Sequence, residues 1–250
     1  MRNRSLWYAV SLTLVFAWTP MVLADVGEGL VLYYPFNGDG DVLIDESGNG
    51  FDGELNSAVR SDEGLSGGAI DFPDRETFSS IPAEEGLTVT AGFTLSLWLK
   101  PSDLDFDGEN RVSYKHQQFN MDLLQGKGRF EIRSDGGWLG TAVAETPVTL
   151  GEWVHIVGTF SPSSGSAMYH NAVWVTGNDS ITSIEPNTEW WKIGNFGLGG
   201  FGGLLDELRF YHRAMSEAEV RDLFEQGIAT TAVSPEGSLT VAWGGLKALR

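Results

Sequence analysis

Short runs of alternating apolar and polar residues recur along most of the chain. From Phe93 to Lys100, phenylalanine and leucine occupy one set of alternate positions, and polar residues and tryptophan occupy the other. A period of two is typical of a strand that buries one face. The same reading predicts strands at Leu30–Phe36, Ala69–Phe72, Phe93–Lys100, Arg111–His116, Asn120–Leu124, Arg129–Arg133, Trp153–Phe160, Ala167–Tyr169, Ala172–Val175, Trp191–Ile193 and Leu204–Tyr211. Glycine-containing turns separate them, so we predict an all-β fold of two packed antiparallel sheets.

One segment near the C-terminus has the features of a helix. Ser216 and Glu219 have the spacing of a capping box, in which each side chain binds the backbone N–H of the other residue. The apolar stripe that follows consists of Val220, Leu223 and Phe224. Gly227 predicts the end of the helix, because glycine is the commonest residue just after a helix. We therefore expect one short C-terminal helix, followed by a tail over residues 228–250.

The first 24 residues have the pattern of a secretory signal peptide. Two arginines form a basic start, an apolar run follows from Leu6 to Trp18, and Val22-Leu23-Ala24 resembles a cleavage site. That run is short for a bilayer span, which needs about 20 residues, although an uncleaved anchor is the alternative. The sequence predicts a signal peptide over residues 1–24, one sandwich domain over residues 25–227, and a secreted or cell-surface protein without a membrane span after cleavage.

The chain is strongly acidic and contains no cysteine. Its formal net charge is −18, and loss of Arg2 and Arg4 with the signal peptide would make it −20, because residues 1–24 contain no acid. An acidic surface repels phosphate backbones, which argues against a nucleic-acid partner. The lack of cysteine excludes disulfides, thiol catalysis and zinc–thiolate sites. Acidic clusters also attract divalent cations, although solubility is the commoner reason for them.

Three segments, in this order, resemble parts of laminin G-like/concanavalin A-like domains. The early segment comprises Leu32-Tyr33-Tyr34-Pro35-Phe36-Asn37, then Asp45-Glu46-Ser47-Gly48-Asn49-Gly50, and Gly53. The middle segments, Phe93–Pro101 and Gly151–His155, are similar to two core strands of that family, and Gly203–Ser216 is similar to its final strand and helix start. The resemblance spans about residues 28–226. It implies a jelly-roll sandwich of a family whose members mostly bind sugars or proteins and are in some cases appended to enzymes.

The resemblance also implies a structural calcium ion. In the family, the first aspartate of the early loop meets the aspartate of the final strand at the ion, and these residues correspond to Asp45 and Asp206. The same loop carries Asn49 and Asp52, which offer the oxygen ligands that calcium prefers. Asp52 stands where the family often has histidine. The alternative is an Asx turn at Asp45 and a buried salt bridge at Asp206.

A second acidic loop has the sequence Asp103-Leu104-Asp105-Phe106-Asp107-Gly108. It matches the first half of the helix–loop–helix calcium pattern. The twelfth position is Tyr114 rather than glutamate, and no helix is predicted on either side, so the loop is not that motif. An independent weak calcium loop and an ordinary turn between two strands are both open, and the turn is favoured.

The polar positions of several strands predict a ligand-binding face. If the apolar set faces the core, the alternate side chains share the opposite side. Carboxylates, guanidinium groups, amides and tryptophan on one face suit sugars, because they supply hydrogen bonds and an aromatic platform. The candidate ligand-binding residues are Trp98, Asn120, Asp122, Arg129, Glu131, Arg133, Trp138, Glu207 and Arg209, with Trp190 and Trp191 as further platforms. A charge-balanced solvent face is the alternative.

No catalytic residue is predicted. The Glu-x-Asp-x-Glu pattern of the glucanases of this superfamily is absent, as are serine-nucleophile motifs and metal-ligand histidine spacings. We therefore expect a non-enzymatic module that binds glycans of polysaccharides or glycoproteins. One alternative is a protein–protein adhesion module of the same fold. Another is a cryptic glycoside hydrolase that pairs Glu131 with Glu207 as its two carboxylates.

Overall fold

The computed structural model describes residues 26–105, 107–140, 143–197 and 199–231, so the predicted signal peptide and residues 232–250 of the tail lie outside it. The described residues form sixteen strands, a 3-10 helix at Glu85–Leu87 and one α-helix. The elements are β1 (Leu30–Tyr34), β2 (Val42–Leu43), β3 (Gly53–Glu54), β4 (Val59–Ser61), β5 (Ala69–Phe72), β6 (Phe78–Ile81), β7 (Phe93–Asp103), β8 (Glu109–Lys115), β9 (Phe119–Leu124), β10 (Lys127–Ser134), β11 (Gly137–Gly140), β12 (Val154–Ser161), β13 (Gly165–His170), β14 (Val173–Asn178), β15 (Trp191–Gly194), β16 (Gly202–Tyr211) and α1 (Glu217–Thr231). No helix in this part of the chain is long and apolar enough to cross a bilayer.

The strands form two antiparallel sheets of eight strands each. The first sheet has the order β14-β13-β12-β7-β16-β5-β4, and β1 pairs with β16 beside this path. The second sheet has the order β11-β10-β9-β8-β15-β6-β3-β2. Strands distant in sequence, such as β7 and β16, are neighbours, as expected for a jelly roll. The predicted all-β, two-sheet fold with one C-terminal helix is confirmed.

Every strand predicted from alternation has a counterpart in the structure. The strands that the pattern missed are β2, β3, β4, β6 and β11, each two to four residues long. Strands of two or three residues carry no recognisable period, and the four-residue strands β6 and β11 lack alternating apolar residues.

The hydrophobic core lies between the two sheets. At its centre, the ring of Phe93 contacts Phe119, Phe130, Phe160 and Phe210, with centroid separations of 4.8, 5.6, 6.0 and 5.9 Å. These rings come from strands of both sheets, so the apolar positions of each strand point inward. The alternate side chains of the second sheet therefore point away from the core, and this face carries the candidate site.

The helix α1 packs on the outer face of the first sheet. Its capping box forms as predicted, because the Glu219 side chain accepts a hydrogen bond from the Ser216 N–H (2.7 Å). The helix does not end at Gly227, however, and continues to Thr231. A Cβ at Gly227 would lie 2.7 Å from Nε1 of Trp98. The glycine is thus required by close packing of the helix on the sheet and does not mark the end of the helix.

Candidate functional site

A pocket of about 290 Å³ opens on the outer face of the second sheet. It lies over β8, β9, β10 and β11, and the loop after β15 contributes one further side chain. The lining residues are Glu109, Arg111, Tyr114, Asn120, Arg129, Glu131, Trp138 and Phe196. We call this site the polar pocket.

Strand register brings the polar side chains of the pocket together. Across β9 and β10, Asn120 is opposite Glu131, and Asp122 is opposite Arg129. Across β8 and β9, Arg111 is opposite Asp122. Residues directly opposite each other on neighbouring strands project from the same face of a sheet. The pairing of three consecutive strands therefore places five polar side chains in one patch.

Asp122 lies at the centre of this patch and is 0% exposed. Its carboxylate accepts hydrogen bonds from Arg111 Nη1 (2.9 Å) and Arg129 Nε (3.0 Å). Glu109 pairs with both arginines as well, at 2.6 Å from Arg129 Nη2. Burial alone would lower the pKa of Arg129, but its hydrogen bonds to Asp122 and Glu109 raise it above the ordinary value. The network holds both guanidinium groups in place against carboxylates.

Two buried polar atoms of the pocket lack a hydrogen-bond partner among the described residues, namely Asn120 Oδ1 and Arg111 Nε. Asn120 is 1% exposed and commits its amide nitrogen to Asp122 (2.8 Å) and Glu131 (3.0 Å). Buried polar groups in native proteins are nearly always hydrogen-bonded. Next to the pocket, one acceptor and one donor therefore keep unused hydrogen-bonding capacity.

Aromatic rings surround these polar groups. Tyr114 stacks on Phe196 with a centroid separation of 4.0 Å, and lies 5.8 Å from Trp138 and 5.4 Å from Trp190. His116 stacks on Trp190 at 4.8 Å. All five side chains are partly exposed. We call them the aromatic shelf, because they place ring faces and edges beside the polar pocket.

Five of the residues predicted to bind a ligand meet at the polar pocket. They are Asn120, Asp122, Arg129, Glu131 and Trp138. Arg133 lies beside them, with its guanidinium 5.9 Å from the ring centroid of Trp138 and its Nε 3.4 Å from a carboxylate oxygen of Glu185. Of the two further tryptophans, Trp190 belongs to the aromatic shelf. Trp191 is fully buried in the core, where its Nε1 donates to Ser113 Oγ (2.8 Å).

Trp98 does not lie on this face, contrary to the prediction. It belongs to β7 of the first sheet and is 4% exposed. Its ring stacks on His155 at 4.9 Å and on Phe224 of α1 at 5.5 Å. The helix covers this side of β7, so both faces of the strand are buried, and alternation alone could not show which face was open.

Glu207 and Arg209 also lie elsewhere, because β16 belongs to the first sheet. The two side chains pair at 2.5 Å, and Glu207 accepts a hydrogen bond from Tyr33 Oη (3.0 Å). Glu131 projects from the second sheet and contacts Asn120 instead. The structure therefore does not pair Glu131 with Glu207, and the hydrolase alternative loses its two carboxylates.

Four residues that line the pocket were not predicted from the sequence. The ladder between β8 and β9 shifts register between Arg111 and Ser113. This bulge lets both Arg111 and Tyr114 line the pocket, although simple alternation places residues three apart on opposite faces. Glu109 precedes the predicted start of its strand, and Phe196 lies in a loop without any period. Only an earlier predicted start of this strand, at Glu109, could have brought that residue into the candidate set.

The predicted calcium loop is held together by its own hydrogen bonds. The Asp45 carboxylate accepts four of them, at 2.9–3.0 Å, from the N–H groups of Tyr33, Ser47 and Phe51 and from the Ser47 hydroxyl. Burial acts to raise the pKa of Asp45, but these donors hold it below its usual value. The bond to the Ser47 N–H is the Asx turn of the alternative interpretation.

The other predicted ligands have similar local partners. Asp52 accepts a hydrogen bond from the Asp45 N–H (2.8 Å), and Asn49 donates to the Val31 carbonyl (2.9 Å). Asp206 is fully buried and accepts N–H groups of the backbone, including that of Glu207 at 2.7 Å, in place of the salt bridge considered above. Burial raises the pKa of Asp206 to about 8.

These donors do not fit a calcium ion shared by Asp45 and Asp206. The lone pairs of Asp45 are filled by four donors. Among the described residues, no group of three or more histidine, aspartate or glutamate side chains is placed to hold a metal. Calcium binding stays a prediction from the resemblance, and no step of the function proposed below uses the ion.

A melting experiment tests the calcium prediction. Because Asp45 is saturated by its own loop, we expect excess EDTA to leave the melting temperature of the protein unchanged. An ion bound only by the folded state would raise that temperature by mass action. A fall of several degrees in EDTA that calcium reverses in the wild type, but not in Asp206→Ala, would contradict this expectation and support the ion.

The second acidic loop forms a hydrogen-bonded turn between β7 and β8. Asp105 pairs with Arg75 at 3.2 Å and accepts the N–H of Asp107 at 2.9 Å. The side-chain oxygen of Asn110 accepts the N–H of Asp105 at 2.6 Å. These contacts agree with the favoured turn, and binding of a second ion stays an untested alternative.

Comparison with known families gives one clear match. The sequence profile described as "Concanavalin A-like lectin/glucanases superfamily" matches residues 73–221, more than half of the chain. Comparison with curated protein sequences gives no significant match.

Solved structures share the fold at low sequence identity. The binding domain of Paraclostridial Mosquitocidal Protein 1 has a TM-score of 0.68 and 18% identity, covering 81% of this chain and 53% of that one. Domain 4 of AbnA, an extracellular GH43 arabinanase from Geobacillus stearothermophilus solved with arabinotriose, has a TM-score of 0.63 and 21% identity. The match covers 78% of this chain and 97% of that one. The ligand-binding domain of botulinum neurotoxin serotype D, solved with N-acetylneuraminic acid, has a TM-score of 0.65 and 10% identity. The match covers 82% of this chain and 52% of that one. The chain thus spans about half of the two toxin domains and nearly all of the arabinanase domain.

Proposed function

Because the chain belongs to the concanavalin A-like lectin/glucanase superfamily, we propose that it is a non-enzymatic glycan-binding module whose binding site is the polar pocket. The observation that carries the proposal is the buried, unpartnered Asn120 Oδ1 beside a pocket whose lining includes three aromatic side chains. A signal peptide, as expected from the sequence, would place this module outside the cell.

The chemistry of the pocket suits a sugar. Sugar hydroxyl groups both donate and accept hydrogen bonds, and Asn120 Oδ1 and Arg111 Nε supply an acceptor and a donor that have no partner in the described residues. The apolar C–H face of a sugar ring packs on aromatic side chains, and Tyr114 and Trp138 lie on the aromatic shelf beside those atoms. Small-molecule sites generally combine an apolar wall with a few convergent polar groups.

Structural neighbours support the proposal at the level of the fold. The arabinanase domain and the neurotoxin domain were solved with arabinotriose and N-acetylneuraminic acid, respectively. Sandwiches of this type are therefore used to hold sugars. The identities of 21% and 10% carry no information about which residues do so here.

Trp138→Ala tests the site directly. We expect the affinity for glycans to fall about tenfold, because truncating an aromatic anchor at the centre of a site typically costs more than 1 kcal/mol. Binding is measured with a glycan array that includes arabinotriose and neutral polysaccharides, followed by titration calorimetry of the best probe.

Trp174→Ala is the matched control for that experiment. Trp174 is 55% exposed and lies on β14 of the first sheet, away from the polar pocket. We expect its removal to leave glycan affinity unchanged. Equal losses in both variants would contradict the assignment of the site. Release of new reducing ends by the wild-type protein would contradict the non-enzymatic part of the proposal.

A protein–protein adhesion module is the second candidate function, and one observation favours it. Val173 and Trp174 are both exposed in the β13–β14 hairpin, where a groove of about 440 Å³ separates the hairpin from Phe224 and Glu217 of α1. Exposed large apolar side chains next to a groove are common at protein interfaces. A glycan array without any signal for the wild-type protein would favour this candidate over glycan binding.

A further inference from the structure

The polar pocket carries net negative charge although it contains two arginines. Three carboxylates, from Glu109, Asp122 and Glu131, face two guanidinium groups, from Arg111 and Arg129, which leaves a formal charge of −1. The chain as a whole is also acidic, with a formal charge of −18. Both the local and the overall charge therefore disfavour an anionic ligand.

Both arginines are already paired with carboxylates of the pocket. Arg111 uses Nη1 for Asp122 (2.9 Å) and Nη2 for Glu109. Arg129 uses Nε for Asp122 (3.0 Å) and Nη2 for Glu109 (2.6 Å), with Glu131 at 3.4 Å. An incoming anion would compete with these carboxylates for the same two guanidinium groups, in a site that already carries net negative charge.

The cations nearest to the pocket do not change this balance. The guanidinium of Arg133 is neutralised by Glu185 at 3.4 Å. The ammonium of Lys192 lies 4.1 Å from the ring centroid of Phe78 and 5.5 Å from that of Trp190, so it belongs to the edge of the aromatic shelf and does not line the pocket.

The hydrogen-bonding groups of the pocket match uncharged hydroxyl groups. Asn120 Oδ1 accepts a hydrogen bond, Arg111 Nε donates one, and the carboxylates of Glu109 and Glu131 accept from hydroxyl groups without gaining a like-charged neighbour. Resting on the proposed function, we infer that the polar pocket takes an uncharged glycan unit and rejects sugars that carry a carboxylate, such as sialic acids and uronic acids.

A glycan array of matched pairs tests the inference. Each pair contains a neutral oligosaccharide and the same oligosaccharide with one sialic acid or uronic acid, for example lactose and sialyllactose. We expect the wild-type protein to bind the neutral member about tenfold more tightly in every pair that it binds, because like charges repel strongly at pocket distances. The difference should narrow at high salt, which screens that repulsion.

Two variants with the same change in charge locate the cause. Glu109→Gln brings the formal pocket charge from −1 to zero and releases the arginines that Glu109 holds. We expect it to reduce the preference for neutral glycans to about threefold or less, since the repulsive charge is removed. Glu54→Gln removes an exposed carboxylate of β3 in the same sheet, outside the pocket and without a contact to its arginines, and we expect it to keep the wild-type preference. Circular dichroism and melting confirm that both variants are folded.

The outcomes separate failure of the inference from failure of the proposed function. Wild-type protein that binds the sialylated or uronate members as tightly as the neutral ones, with binding weakened by Trp138→Ala, would overturn the inference and leave the glycan site in place. An equal shift of preference in Glu109→Gln and Glu54→Gln would also overturn it, because the charge effect would then not originate in the pocket. A wild-type protein that binds no glycan would overturn both.

Discussion

Asp122→Ala is expected to lower the free energy of unfolding by about 3–5 kcal/mol, the cost of removing one partner from a buried ion pair. Asp122 is fully buried and is the carboxylate that both Arg111 and Arg129 share. Without it, two guanidinium groups remain close together, with Glu109 and Glu131 at the margins of the network. The same variant should lose glycan binding, because Asn120 loses the acceptor that orients its amide.

Urea unfolding at neutral pH measures this effect, and Glu185→Ala serves as the control. Glu185 forms a partly exposed ion pair with Arg133 at 3.4 Å. Such surface pairs contribute about 0–1 kcal/mol, so we expect a small change. If the two variants lost similar amounts of stability, the buried network around Asp122 would contribute no more to the free energy of unfolding than a surface ion pair does.

Neutral His155 is expected to stabilise the protein by an amount that is lost in acid. Its ring lies beneath α1, stacked on Trp98 at 4.9 Å, and its Nε2 is 2.8 Å from Ser96 Oγ. Nδ1 is buried without a hydrogen-bond partner among the described residues. Burial, with a smaller contribution from the charge of Arg209, lowers the pKa of His155 to about 3.

The sign of the effect follows from the two protonation states. In the unfolded chain His155 has its ordinary pKa near 6.5. Between about pH 3 and 6.5, its imidazole is therefore protonated in the unfolded chain and neutral in the folded protein. The stability from neutral His155 is complete above about pH 6.5 and is lost as the pH falls. From about pH 7.5 to 4.5, the loss should be roughly 2.5 kcal/mol, at 1.36 kcal/mol per unit of pKa difference.

Comparing the wild type with His155→Gln isolates the contribution of His155 to the pH dependence of stability. Glutamine has no titration in the range but can still hydrogen-bond Ser96. Other groups with shifted pKa values contribute in both proteins and cancel in the comparison, among them His212, whose pKa burial lowers. Burial lowers the pKa of His170 to about 4, which adds to the acid loss, and raises that of Asp206 to about 8, which opposes it. Equal pH dependence of unfolding in the two proteins would show that His155 is not the cause.

Part of the candidate site was predictable from strand periodicity. Asn120 and Asp122, like Arg129 and Glu131, are two residues apart on strands whose other positions are apolar, so each pair had to share a face. Alternation does not reveal which of the two sheets a strand joins. That is why Glu207 and Arg209 were grouped with them, although β16 lies in the first sheet.

The sequence alone determined eleven of the sixteen strands, the sandwich class and the start of the helix, because periodicity and the Ser216–Glu219 capping box act between residues close in the chain. Tertiary structure alone decided which outward face is open. Packing of α1 on Trp98 closes the first sheet there, and Gly227 permits that contact. The bulge after Arg111 and the loop carrying Phe196 then complete the pocket on the second sheet. These contacts join residues distant in sequence, and no local pattern encodes them.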